Sequence, residues 1–137
     1  MYKNLSVLVC VLLTSFLAIG QKDYRVVFDL TSKDSNDQKA VIRWVNEVSK
    51  AEPTSQVEVV MYGQGLALVT KGRSMYADEV AKLAQNKNIA FRVCQVAMKN
   101  QGIDQSQLIE GVGTVPDGIY EVISKQRQGW GYIKVKN

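Results

Sequence analysis

Five short runs rich in β-branched and aromatic residues recur between positions 24 and 135. Four longer stretches with largely helical patterning separate them. No other feature narrows the choice of fold as much. Residues 24–30 (YRVVFDL), 56–62 (QVEVVMY), 89–93 (IAFRV), 112–115 and 130–135 (WGYIKV) read as strands. The first intervening helix can be capped by Asp34 or Ser35, carries Val41, Trp44, Val45 and Val48 as its apolar stripe, and stops at Pro53. The turn Gly63-Gln64-Gly65 closes the second strand, and a helix from near Ser74 presents Tyr76, Val80, Leu83 and Ala84. A short helical piece over 95–100 follows the third strand, and Asp104 is placed to cap another that includes Leu108 and Ile109. Asp117 then starts a helix with Ile119, Val122, Ile123 and Gln126 on one side, closed by Gly129.

Strands alternating with helices in this way imply parallel pairing through right-handed crossovers. The expected fold class is therefore α/β: a three-layer α/β/α sandwich around a five-stranded, mainly parallel sheet. No internal repeat, low-complexity stretch or linker interrupts residues 21–137, which read as one domain.

Residues 1–20 (MYKNLSVLVCVLLTSFLAIG) have a different character. Lys3 precedes an apolar run, and Ala18 and Gly20 occupy the −3 and −1 positions before Gln21. This is the layout of a secretory signal peptide cleaved at Gly20-Gln21, with an uncleaved anchor as the rival reading. Export to the periplasm or beyond is the expectation, with no membrane attachment once the leader is removed. Cys10 leaves with the leader, and Cys94 remains as a lone thiol with no intramolecular partner.

The sequence contains no histidine. That excludes a Ser-His-Asp triad, a Cys-His dyad and the His-containing zinc sites, and two cysteines cannot supply a Cys₄ metal centre. No metal and no cofactor are expected. Net charge is +4 for the whole chain, without a run of like charges or interleaved aromatics, so a solvated basic face is favoured over nucleic-acid binding. Both glycine pairs, Gly63/Gly65 and Gly111/Gly113, miss the third glycine of a dinucleotide fingerprint, and no Walker pattern is present.

Ligands of an open parallel sheet sit beyond the carboxyl ends of its strands. Asp29, Tyr62, Gly63, Gln64, Gly65, Cys94, Gln95, Pro116, Asp117 and Gly118 fall there. Asp29 has no second acid at a spacing that would pair it, so loop bonding or turn capping is its plainer role. Cys94 ends a strand just before a helix, where exposed amides favour a thiolate, and strand alternation puts Arg92 on the same side. The competing reading is a buried, inert cysteine that packs like a small apolar group.

Four segments, VVFDL (26–30), VEVVMYGQGLALV (57–69), IAFRVCQVAMKNQGI (89–103) and VPDGIYEVISKQRQGWGYIKV (115–135), together resemble the DsrE/DsrF-like family of small sulfur-metabolism proteins. The resemblance implies a five-stranded parallel sheet, assembly into homotrimers or homohexamers, and a persulfide carried on Cys94. Arg92 is then a possible stabiliser of the thiolate, and the segments around Gly63 and Asp117 form its pocket. The leader departs from the cytoplasmic relay members. A sulfur carrier without turnover of its own is the first expectation. An oligomeric small-ligand-binding module with a structural Cys94 is the second, and a redox-sensing thiol the third.

Overall fold

A computed structural model describes residues 23–136. The expected leader, its boundary at Gly20-Gln21 and Cys10 lie outside the described residues. Strands β1 (Arg25–Leu30), β2 (Gln56–Met61), β3 (Ile89–Cys94), β4 (Gly113–Val115) and β5 (Gly131–Lys134) form one sheet in the order β4-β3-β2-β1-β5. Every neighbouring pair is parallel. The α-helices are α1 (Ser35–Ala51), α2 (Ala77–Leu83), α3 (Gln95–Gln101) and α4 (Gly118–Arg127). The chain steps from β1 to β4 in one direction, which places α1 to α3 on one face. It then returns to the opposite edge for β5, so α4 crosses the other face. The expected three-layer sandwich is the observed one.

The first face holds most of the core. Val26, Phe28 and Leu30 of β1, Val57, Val59 and Met61 of β2, and Phe91 and Val93 of β3 alternate inward and are essentially inaccessible. Helix α1 buries Val41, Ile42 and Val45 against them, with Trp44 stacked on Phe28 at 6.2 Å. Asp34 caps this helix by accepting from the amides of Asn36 (2.8 Å) and Asp37 (3.4 Å).

Three local expectations need correction. The turn at Gly63, whose φ is +54°, opens a seven-residue 3₁₀ helix, Gly63–Val69, that buries Leu66, Leu68 and Val69. The helix expected from near Ser74 begins at Ala77, because the Ser74 hydroxyl accepts from the Tyr76 amide (3.1 Å) in a turn just before it. Asp104 caps only the short 3₁₀ turn Gln105–Gln107; the chain is then extended, with Leu108 bridged to Thr70.

The second face is more polar, and among the described helices it is α4 that crosses it. Val27, Val60 and Val122 form a small apolar cluster there. Beside it the buried Glu58 receives Lys125 at 2.9 Å, and the Lys125 ammonium lies 4.4 Å from the centre of the Trp130 ring. The stripe expected on this helix is only partly buried. Val122 packs inward, while Ile119 and Ile123 are exposed, because the helix turns Lys125 toward the acid in the sheet. No helix among the described residues is long and apolar enough to cross a membrane.

Candidate functional site

A cavity of about 390 Å³ opens at the carboxyl ends of β2 and β3. Its size lies in the usual range for a small-molecule site. Cys94, Tyr62, Gly63, Gln64 and Asp117, all anticipated from the sequence, line it. Cys94 is the last residue of β3 and the N-cap of α3, so it stands where the first amides of that helix lack intrahelical partners. Only 6% of Cys94 is exposed. It is a free cysteine with one side in the core and another on the cavity.

Gly118 explains how α4 approaches so closely. A Cβ at that position would stand 3.1 Å from both Cys94 Cβ and Tyr62 Cδ1. A side chain there would require these two neighbours to give by a few tenths of an ångström, and glycine lets the start of α4 close on them without that shift. Asp117, the residue before it, caps α4 by accepting from the amides of Ile119 (2.8 Å) and Tyr120 (3.0 Å).

Asp29 stands behind the cavity wall. This buried carboxylate receives the Tyr132 hydroxyl at 2.8 Å, the Tyr62 hydroxyl at 3.1 Å and the Lys134 ammonium at 3.1 Å. Burial, and after it the nearby Asp29, raises the Tyr62 hydroxyl to about 12. Burial and the bond to Asp29 take Tyr132 to about 12 as well. Both phenols therefore keep their protons at neutral pH and donate to the carboxylate. The Tyr62 ring is held as a fixed wall beside Cys94 and Gly118. Asp29→Asn leaves two hydroxyls and an ammonium without their charged acceptor. Because Tyr132 and Lys134 are partly open to water, the expected cost is about 1–2 kcal/mol in urea unfolding. An unchanged midpoint would show that water replaces the carboxylate.

The remaining anticipated residues sit around the cavity without lining it. Gln95 donates its amide to the Thr114 hydroxyl (3.0 Å), Gly65 is a buried residue of the 3₁₀ helix, and Pro116 is exposed. The Arg92 guanidinium lies over Gly113, and its Nη1 donates to the Phe91 carbonyl at 3.4 Å. Sequence reasoning missed Val96, Ala97, Asn100, Gln101 and Ile119. The first four are adjacent pairs spaced i, i+4 on the helix after Cys94, a pattern that places them on one face. The Gln101 side-chain amide donates to the Gly63 carbonyl and ties α3 to the loop after β2.

A family model described as the DsrE/DsrF-like family matches residues 25–135. Among solved structures, a protein of unknown function, MTH1491 from Methanobacterium thermoautotrophicum, is 29% identical with a TM-score of 0.77, covering 82% of this chain and 99% of its own. The ychN protein from E. coli shares the fold at 13% identity (TM-score 0.68, 83% and 99% covered). BT1422 from Bacteroides thetaiotaomicron, a conserved protein of unknown function, does so at 15% (0.64, 81% and 94%). None of the curated proteins matches the sequence.

Proposed function

The chain belongs to the DsrE/DsrF-like family, which is associated with sulfur relay, and from that premise we propose that it carries sulfane sulfur as a persulfide on Cys94. The observation behind this reading is the placement of the free Cys94: at a strand end, at the start of a helix, and on the wall of a cavity large enough for a small donor. The Cys94 thiolate attacks the outer sulfur of a donor R–S–SH. The donor S–S bond breaks, RS⁻ leaves with the electron pair, and Cys94–S–SH remains. An acceptor thiolate then attacks that outer sulfur, and the Cys94 thiolate is the leaving group. Sulfur changes carrier without an external oxidant or reductant.

We further propose that the protein is exported through its 1–20 leader and assembles as a homotrimer or homohexamer. The exposed Tyr120 and Ile123 of α4 suit burial between copies. Light scattering on the purified protein checks the assembly: a monomer at micromolar concentration refutes it.

The low exposure of Cys94 favours a second reading, in which the cavity binds a small ligand and the thiol only packs. Incubation with a persulfide donor, followed by intact mass measurement, separates the two. The carrier gains the mass of one or more sulfur atoms, gives it up to an added thiol, and Cys94→Ser gains none. An unmodified, folded wild-type protein leaves the binding module as the surviving reading.

A further inference from the structure

We infer that the cavity beside Cys94 selects a sulfur donor that carries no negative charge, an inference that rests on the carrier reading above. The lining decides this by what it holds. Among the described residues, Asp117 is its only carboxylate and no lysine or arginine lines it. Gln64 and Asn100 contribute neutral amides, and Tyr62, Val96 and Ile119 supply apolar surface.

Two nearby cations are committed elsewhere. Lys134 binds Asp29 and Thr31, with its ammonium 5.5 Å from the centre of the Tyr62 ring. Arg92 lies over Gly113. Lys99 is exposed on α3 and outside the lining. The amides that begin α4 are already taken by Asp117, which leaves the start of α3, beside Cys94 itself, as the electropositive spot. An anionic donor such as thiosulfate would lose hydration with no lysine or arginine in the lining to offset the loss, and would face Asp117.

An uncharged organic trisulfide, R–S–S–S–R, meets neither penalty. The Cys94 thiolate attacks its central sulfur, one S–S bond breaks, and RS⁻ departs with the electron pair, leaving Cys94–S–S–S–R. A second thiolate, R′S⁻, then attacks the sulfur bearing R. It forms R′–S–S–R and releases the persulfide anion on Cys94.

Three methanethiosulfonates with neutral, cationic and anionic tails measure the selection directly, since each transfers its thio group to a thiolate and releases methanesulfinate. Rates on the folded protein are divided by rates on the same chain unfolded in urea at the same pH and salt. The neutral and cationic reagents should outpace the anionic one by about tenfold beyond the unfolded ratio. Asp117→Asn, which preserves the helix cap, should narrow that gap severalfold. Ratios equal to those of the unfolded chain, or a faster anionic reagent, overturn the inference and leave the carrier reading intact. If no reagent modifies folded Cys94, the carrier reading fails and the inference falls with it.

Discussion

Gly65→Ala should cost about 3 kcal/mol of unfolding free energy, the upper end of what overpacking a core usually does. The reason lies at the end of β1. A Cβ on residue 65 would overlap the carbonyl oxygen of Leu30, lie 2.8 Å from its carbonyl carbon and reach within 3.3 Å of its Cγ. That oxygen already accepts the Tyr62 amide at 3.3 Å, so it belongs to the ladder between β1 and β2 and has nowhere to go. The obstacle is backbone rather than the far end of a flexible side chain. Relief must therefore come from the 3₁₀ helix lifting away, which uncovers Leu66, Leu68 and Val69. Urea unfolding should show a lower midpoint with an unchanged slope. Because Gly63 and Gln64 are the first residues of the same segment and line the cavity, the variant should also change how fast Cys94 reacts. A loss under about 1 kcal/mol would mean the segment shifts at little cost, and that the close approach is incidental.

The architecture was legible because it is written in local periodicity. Strands such as Gln56–Met61 and Ile89–Cys94 carry a core-facing set at period two, and the long α1 shows its stripe and its Asp34 cap. Parallel order then followed from the β-α alternation together with the handedness of crossovers. The site was legible in position more than in detail. Strand ends drew attention to Cys94, Tyr62 and Asp117, yet α3 contributes as much wall, and its role depends on how close the chain brings Gln101 to Gly63. Asp29 shows the limit most clearly. Its partners Tyr132 and Lys134 lie more than a hundred residues away, on a strand that joins β1 only after the chain has crossed the sheet. No local pattern carries such a contact. On α4 the apolar stripe misled, since a helix normally faces its apolar side inward, but the sheet beneath presents Glu58.

That acid gives the second large effect: Lys125→Met should cost about 3 kcal/mol at neutral pH, the low end of the range for a buried ion pair that loses one partner. Lys125 sits 2.9 Å from Glu58 Oε2 and 3.5 Å from Glu121 Oε1. Glu58 Oε1 has no hydrogen-bond partner among the described residues. Burial raises the Glu58 carboxyl above its ordinary 4.5, even though Lys125 pulls it back down, and the neighbouring Glu121 adds to the upward push. An acid whose folded value is raised holds a proton that the unfolded chain has released. Its contribution to stability is thus complete below 4.5 and is lost as pH climbs through the folded value. Without the ammonium, the folded value rises further and the loss runs to higher pH. The deficit of Lys125→Met relative to wild type should therefore be small near pH 4.5 and grow toward neutral pH. Adding Glu58→Gln removes the charge that lacks a partner, so the double variant should recover much of the loss at pH 7.5. Urea titrations at the two pH values decide it. A deficit of equal size at both would place the cost in the lost contact of the Lys125 ammonium with the Trp130 ring rather than in the buried carboxylate.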